Sequence, residues 1–328
     1  MSMETRLKRE YEMASNLVSC PSSLDERVKA LYHSHIQAEG RKGYAARRFK
    51  PRRMAAVALA VVLLTGFAYS AQKLLFSANQ GTVNMEMRTD AGFSLSRTST
   101  EHIRSALADV QQRLAAGQAA VVYVASLEQE DHPLYKRHPL LGVTKPEIVN
   151  DAESWKETVK KLHAPLSLPQ ELPGSFSFLE GKEGNPYESM VDEKGYSLLD
   201  ELRQESKQNG KDIAWRVVPR PQLPFDSYTT TYTNADSHRI YVTVEVMPDM
   251  NVASKVLAPE SAQYEELNVN GVKAHYTVND QFLFNDSNRY QDLFWMSGQE
   301  GKQFVIRVAT DSPHVTKEQL IQAAKSLK

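Results

Sequence analysis

One cysteine, Cys20, stands in 328 residues. A lone thiol excludes an intrachain disulfide, so the long segment beyond it must be held by packing. Nor can it build a thiolate metal centre, and residues 1–53 lack His-x3-Cys-x2-Cys spacing. Catalytic signatures are missing as well. There is no G-x-S-x-G elbow, H-E-x-x-H pair, P-loop or dinucleotide glycine fingerprint. Asp131, His132 and His138 share one proline-marked stretch with no second ligand cluster, which predicts a solvated loop. Asn285, Asp286 and Asn288 offer a single carboxylate without EF-hand spacing, which predicts a polar turn. His33 and His35 lie two apart on an expected helix and face different ways. The expectation is no enzyme, no cofactor and no metal.

Charge is absent from another stretch. Between Met54 and Ala71 no residue is charged, and only Thr65 and Ser70 are aliphatic hydroxyls. Eighteen such residues as a helix reach about 27 Å, close to the ~30 Å of a bilayer core. Leu74, Leu75 and Phe76 extend the run past Lys73, giving an expected span over 54–76. A buried core helix is the other reading of such a run. The residues before it decide for the membrane. From Gly40 to Arg53 there is no acid, while Arg41, Lys42, Arg47, Arg48, Lys50, Arg52 and Arg53 are all basic. Such a cluster stays on the cytoplasmic side, which puts residues 1–53 inside and 77–328 outside. It also suits anionic lipid, so a nucleic-acid partner is not expected. Cleavage around Ala68-Tyr69-Ser70 is disfavoured by the 53 residues ahead of the run. The overall charge of −1 conceals this asymmetry: residues 1–53 carry twelve Lys/Arg against six Asp/Glu, and 77–328 carry 26 against 34.

The remaining pattern predicts an α+β protein in four parts. Residues 1–53 form a cytoplasmic helical segment. Two amphipathic helices within 4–38 present Leu7, Tyr11, Leu17, Leu24, Val28, Leu31 and Ile36, and are too short to be firmly stable alone. These seven residues are the expected partner-binding face. The span follows at 54–76. Residues 77–165 form a membrane-proximal α/β unit: a polar extended lead-in to Arg97, a helix over 98–116, a buried strand over 119–127, a loop to 147 and a helix over 151–162. Residues 166–328 form an α+β sensor or binding domain. It opens with an edge strand near Phe176 and Phe178, and alternation then marks strands at 213–218, 227–233 and 239–247. Asn270-Gly271 marks a hairpin, 289–296 and 302–309 another, and Thr316 with Gln319 a capping box before a terminal helix. The Thr/Tyr-rich 228–233 strand is expected at a sheet edge or half-exposed face.

Three stretches carry a family resemblance: KPRRMAAVALAVVLLTGFAYSA at 50–71; RLAAGQAAVVYV at 113–124 with the Trp155 helix and LPQELPGSFSFLEG at 168–181; and VNGVKAHYTVND, LFWMSGQEGKQFVIRV and TKEQLIQAAKSLK between 269 and 328. Here the chain resembles the anti-sigma-factor-like, single-pass membrane regulators of Gram-positive bacteria of the Bacillus and Paenibacillus kind, including their C-terminal extracytoplasmic domain of unknown function. The resemblance implies a cytoplasmic segment that contacts an extracytoplasmic-function sigma factor and an outer domain that senses the envelope. It transfers no functional residue to a position here. A membrane-tethered module binding an envelope ligand is the alternative, and an envelope enzyme a third.

Overall fold

The computed structural model describes residues 73–327, apart from 188, 224 and 286. The expected partner-binding face (Leu7, Tyr11, Leu17, Leu24, Val28, Leu31 and Ile36), the basic residues Arg47, Arg48, Lys50, Arg52 and Arg53, and positions 54–72 of the expected span lie outside them. Among the described residues no helix is long and apolar enough to cross a membrane.

The elements follow in chain order. β1 (Lys73–Gln80) and β2 (Val83–Thr89) precede α1 (Arg97–Arg113), β3 (Ala119–Val124), α2 (Ala125–Gln129), α3 (Pro133–Arg137), β4 (Leu141–Thr144) and α4 (Ala152–Lys160). Then come β5 (Glu171–Leu172), β6 (Phe176–Glu183), α5 (Glu193–Tyr196), α6 (Leu199–Asn209) and β7 (Ile213–Val218). The rest is β8 (Asp226–Thr233), β9 (Arg239–Met247), β10 (Val252–Ala258), β11 (Gln263–Val269), β12 (Val272–Asn279), β13 (Tyr290–Gln299), β14 (Lys302–Thr310) and α7 (Lys317–Ser326). The fold is α+β, with three sheets among the described residues.

The largest sheet has eight strands in the order β11-β12-β13-β14-β9-β8-β6-β5, every pair antiparallel. Alternation sets its two faces. Phe304, Ile306 and Val308 of β14, with Ile240, Val242 and Val244 of β9, meet Leu320, Ala323 and Ala324 of α7 in the main core. The expected capping box starts that helix: Thr316 Oγ1 accepts from the Gln319 amide, and the Gln319 side chain accepts from the Thr316 amide. The Asn270-Gly271 hairpin forms between β11 and β12 with both residues at positive φ, 51° and 86°. That is the backbone a two-residue turn of matching twist requires. Trp155 of α4 packs on the α7 side of the sheet, its indole N–H donating to Thr230 Oγ1 at 2.8 Å. Gly181 leaves the room for it, since a Cβ there would lie 2.0 Å from the indole.

Several expectations are corrected. Leu74, Leu75 and Phe76 do not continue a helix; they are in β1, which pairs with β2 where an extended lead-in was expected. A short apolar run has no period of its own, so strand and helix read alike. β10, unmarked in sequence, pairs in parallel with β2. The expected loop over 128–147 contains α3 and β4, and His132 is buried as the N-cap of α3, its Nδ1 accepting from the Leu134 amide. β8 is neither an edge nor a half-exposed face: it lies between β6 and β9 with Thr229, Thr230, Thr231 and Tyr232 buried. The strand over 213–218 forms as expected but pairs with β3, giving a sheet β4-β3-β7 whose hydrogen bonds join residues on either side of position 166. α1 covers one face of that sheet through Ile103, Leu107 and Val110. On the other face Leu202 of α6 packs among Val121, Tyr123 and Ala214.

Candidate functional site

The second face of the eight-stranded sheet holds the polar residues. Register places His275, Phe294, Arg307, Thr243 and Thr229 in one row across β12, β13, β14, β9 and β8, and Thr277, Asp292, Ala309, Tyr241 and Thr231 in the next. Glu245 lies one row to the other side, opposite Val305. Arg307 therefore sits diagonally between two carboxylates. Its Nε donates to Glu245 Oε1 at 2.9 Å and its Nη1 to Asp292 Oδ2 at 2.6 Å. The guanidinium also lies 4.9 Å from the Phe294 ring centroid, within cation–π range. Glu245 is 5% exposed and Asp292 4%. Burial opposes the charge on Arg307, but Glu245 and Asp292 more than offset this and keep it protonated. Burial pushes Asp292 up to about 6, against the pull of Arg307. Asp292 Oδ1 has no partner among the described residues, in keeping with burial outweighing Arg307 at this carboxyl.

Two covers lie on this face. At one end Phe76, Met85 and Met87 of the β1–β2 hairpin pack on Met247, Phe294 and Met296. Phe76 is stacked among Tyr264, His275 and Phe294 at centroid distances of 5.2, 4.8 and 5.5 Å. The Tyr264 hydroxyl meets His275 Nδ1 at 3.0 Å, and burial lowers the His275 pKa. At the other end Tyr187 and Phe282 close over Tyr241 and Tyr290, with Tyr187–Tyr290 at 4.3 Å and Phe282–Tyr290 at 4.6 Å.

Behind this second aromatic cluster lies a cleft of about 80 Å³, the candidate site. Arg104, Leu107 and Gln111 of α1 form one wall, Gly142 and Val143 of β4 the floor, and Pro186 with Leu283, Phe284 and Asn285 the opposite wall. Helical spacing puts Arg104, Leu107 and Gln111 on one side of α1. Ser96 starts that helix, its Oγ accepting from the Ser99 amide. Gln111 is held by a bond from its Nε2 to the Thr144 carbonyl at 2.8 Å, and Asn285 by one from its Nδ2 to the Arg289 carbonyl at 3.0 Å. Arg104 Nη1 and Asn285 Oδ1 are among the buried side-chain atoms that have no partner among the described residues.

Sequence singled out Asn285 only as a weak calcium candidate and Arg104 not at all. The signal available for Arg104 was a cation three residues before Leu107 on the predicted helix; nothing in sequence brings the 283–285 turn to it. Among the described residues no group of three His, Cys, Asp or Glu could hold a metal ion. A Ser/His/Asp grouping does occur among the described residues. Ser126 Oγ donates to Asp212 Oδ2 at 3.1 Å, and His102 Nε2 meets the same oxygen at 2.9 Å. Both bind the carboxylate, so the grouping lacks the serine–histidine link that activates a nucleophile. Comparison of the chain with protein-family models, curated proteins and solved structures finds no match.

Proposed function

We propose that the chain is a single-pass membrane signalling regulator, anti-sigma-factor-like, that couples an extracytoplasmic sensing domain to a cytoplasmic partner, and that it is not an enzyme. The observation that carries this reading is the uncharged run of Met54 to Ala71 directly behind seven basic residues. By the positive-inside rule that order supports an N-terminus inside and a C-terminal domain outside. On this reading Leu7, Tyr11, Leu17, Leu24, Val28, Leu31 and Ile36 engage an extracytoplasmic-function sigma factor as amphipathic helices in a groove. Residues 73–327 supply the sensing part.

The test captures the full chain from detergent-extracted membranes and identifies what comes with it by mass spectrometry. Recovery of a sigma factor, lost in Leu24→Asp and Leu31→Asp, is the expected result. Recovery of none overturns the anti-sigma reading. Topology is read separately through Cys20, which a membrane-impermeant maleimide must not label in intact cells. The second reading, a tethered ligand-binding module, is favoured by the cleft between α1 and the 283–285 turn. It predicts a ligand and no cytoplasmic partner.

A further inference from the structure

The sheet β1-β2-β10 turns one face inward and the other outward. Phe76, Met85 and Met87 point into the core shared with the large sheet. Register sorts the outward residues into three rows. The row nearest the start of β1 is Leu74, Arg88 and Leu257. The next is Ser77, Glu86 and Lys255, and the third is Asn79, Asn84 and Ala253. The face is therefore graded: two leucines flank an arginine at one end, and polar or small residues fill the rest. Leu74 is 46% exposed, and Leu257 is half-buried. Arg88 Nε pairs with Glu86 of the second row.

The gradient has a direction. β1 begins at Lys73, two residues beyond Ala71, where the uncharged run ends. Two residues reach at most about 7 Å. As a helix the run is about 27 Å long, so it fills a ~30 Å bilayer core with no residue to spare. Beyond that core the headgroup layer is roughly 5–7 Å deep on each side. Lys73 is thus tethered beside the headgroups, and it pairs with Thr89, which pairs with Ala258. The Leu74 row comes next. The Asn79 row lies four β2 residues further along, about 14 Å away. Leucines at the acyl boundary with long cations reaching to phosphate are the make-up of an interfacial surface.

We propose that the Leu74–Arg88–Leu257 row, with Lys73, rests in the headgroup layer of the bilayer that the run crosses. The leucines meet the acyl boundary, and Arg88 and Lys73 meet lipid phosphates. The inference rests on the membrane-span part of the reading above. Such a contact seats the β1–β2 hairpin on the membrane, so the sheet it covers is held against the bilayer and does not swing about its tether.

Fluorescence quenching of the full chain in phosphatidylcholine vesicles tests the proposal. Cys20→Ser removes the native thiol. In that background Leu74→Cys, Leu257→Cys, Asn79→Cys and Ala253→Cys each carry one fluorophore, and the vesicles include phosphatidylcholine with a nitroxide on its headgroup. Quenching at 74 and 257 is expected to be at least threefold that at 79 and 253, with melting temperatures equal to that of the unlabelled chain. Position 257 is decisive, because only the fold brings it near the run. Arg88→Gln combined with Leu74→Ser should lower quenching at 257 at least twofold with the melting temperature unchanged. Equal quenching along the face overturns the proposal, as does quenching at 257 that survives the double substitution. A label at Leu64→Cys, read with a mid-chain nitroxide lipid, reports on the span itself. No quenching there overturns the membrane reading and this proposal with it. Quenching at 64 with none at 257 overturns this proposal alone.

Discussion

Replacing Arg307 by Met keeps an unbranched side chain but removes the one cation between Glu245 and Asp292. Both carboxylates are nearly solvent-free, and both accept hydrogen bonds from that guanidinium. Removing one partner of a buried ion pair leaves an uncompensated charge and costs about 3–5 kcal/mol. In a domain of this size 1 kcal/mol moves the melting temperature by about 2–4 °C, so the loss should be roughly 10 °C. Asp292→Asn leaves Arg307 with Glu245 and removes the surplus negative charge, so it should cost less than about 1.5 kcal/mol. The pH dependence separates the two. In the native protein Asp292 is raised from 3.8 to about 6. The folded state therefore binds that proton more tightly than the unfolded state. The stability this contributes is complete below about pH 3.8 and is lost as pH rises through about 6. Without Arg307 the deficit should be larger at pH 7.5 than at pH 5, because acid neutralises the stranded Asp292 carboxylate. Calorimetric or fluorescence melting at both pH values is the assay. Equal destabilisation by Arg307→Met and Asp292→Asn, or a deficit in Arg307→Met that does not change with pH, would refute the account of this network.

Other outcomes can be checked in the same apparatus. Phe76→Ala removes the ring stacked among Tyr264, His275 and Phe294 and should cost about 3–5 kcal/mol, with residues 73–89 becoming the first part cut by limited proteolysis. Gly181→Ala drives a methyl group into the Trp155 indole and should cost about 3 kcal/mol or more, with a changed tryptophan emission. His275 has its pKa lowered from 6.5 by burial, so the unfolded state takes up its proton first. Its contribution is complete above about pH 6.5 and falls as the medium becomes more acidic, and His275→Gln should flatten that slope in a pH series of melting curves. Thr316→Ala removes the cap that starts α7 and should cost about 1 kcal/mol.

Where local chemistry decides structure, sequence showed it. Arg239–Met247 alternates cleanly, and the strand forms over those residues. Asn270-Gly271 allows one tight turn, and Thr316 with Gln319 fits one cap. What escaped depends on partners distant in sequence. Leu74-Leu75-Phe76 is apolar either way, and only Met87 and the rings from 264 to 294 make it a strand. The Arg307 network was half-visible: Glu245, Asp292 and Arg307 each interrupt a strongly apolar strand. Only the register of β13, β14 and β9 shows that the three meet on one face. The cleft was less visible still, because only the fold brings Arg104 on α1 and Asn285 in the β12–β13 connection to the same lining.

The parallel pairing of β2 with β10 also orders events in time. Thr89 is paired with Ala258 and Val83 with Val252, and Phe76 is held by rings at 264, 275 and 294. The earliest described strands thus acquire their neighbours only after some 170 further residues have been made. Pairing so distant in sequence is slow to form. During synthesis the β1–β2 hairpin emerges without its third strand or its cover, and a chain stopped before residue 252 would leave both missing. The segment that follows the apolar run therefore settles late in folding, and its docking reports that the strands over 252–299 have been made.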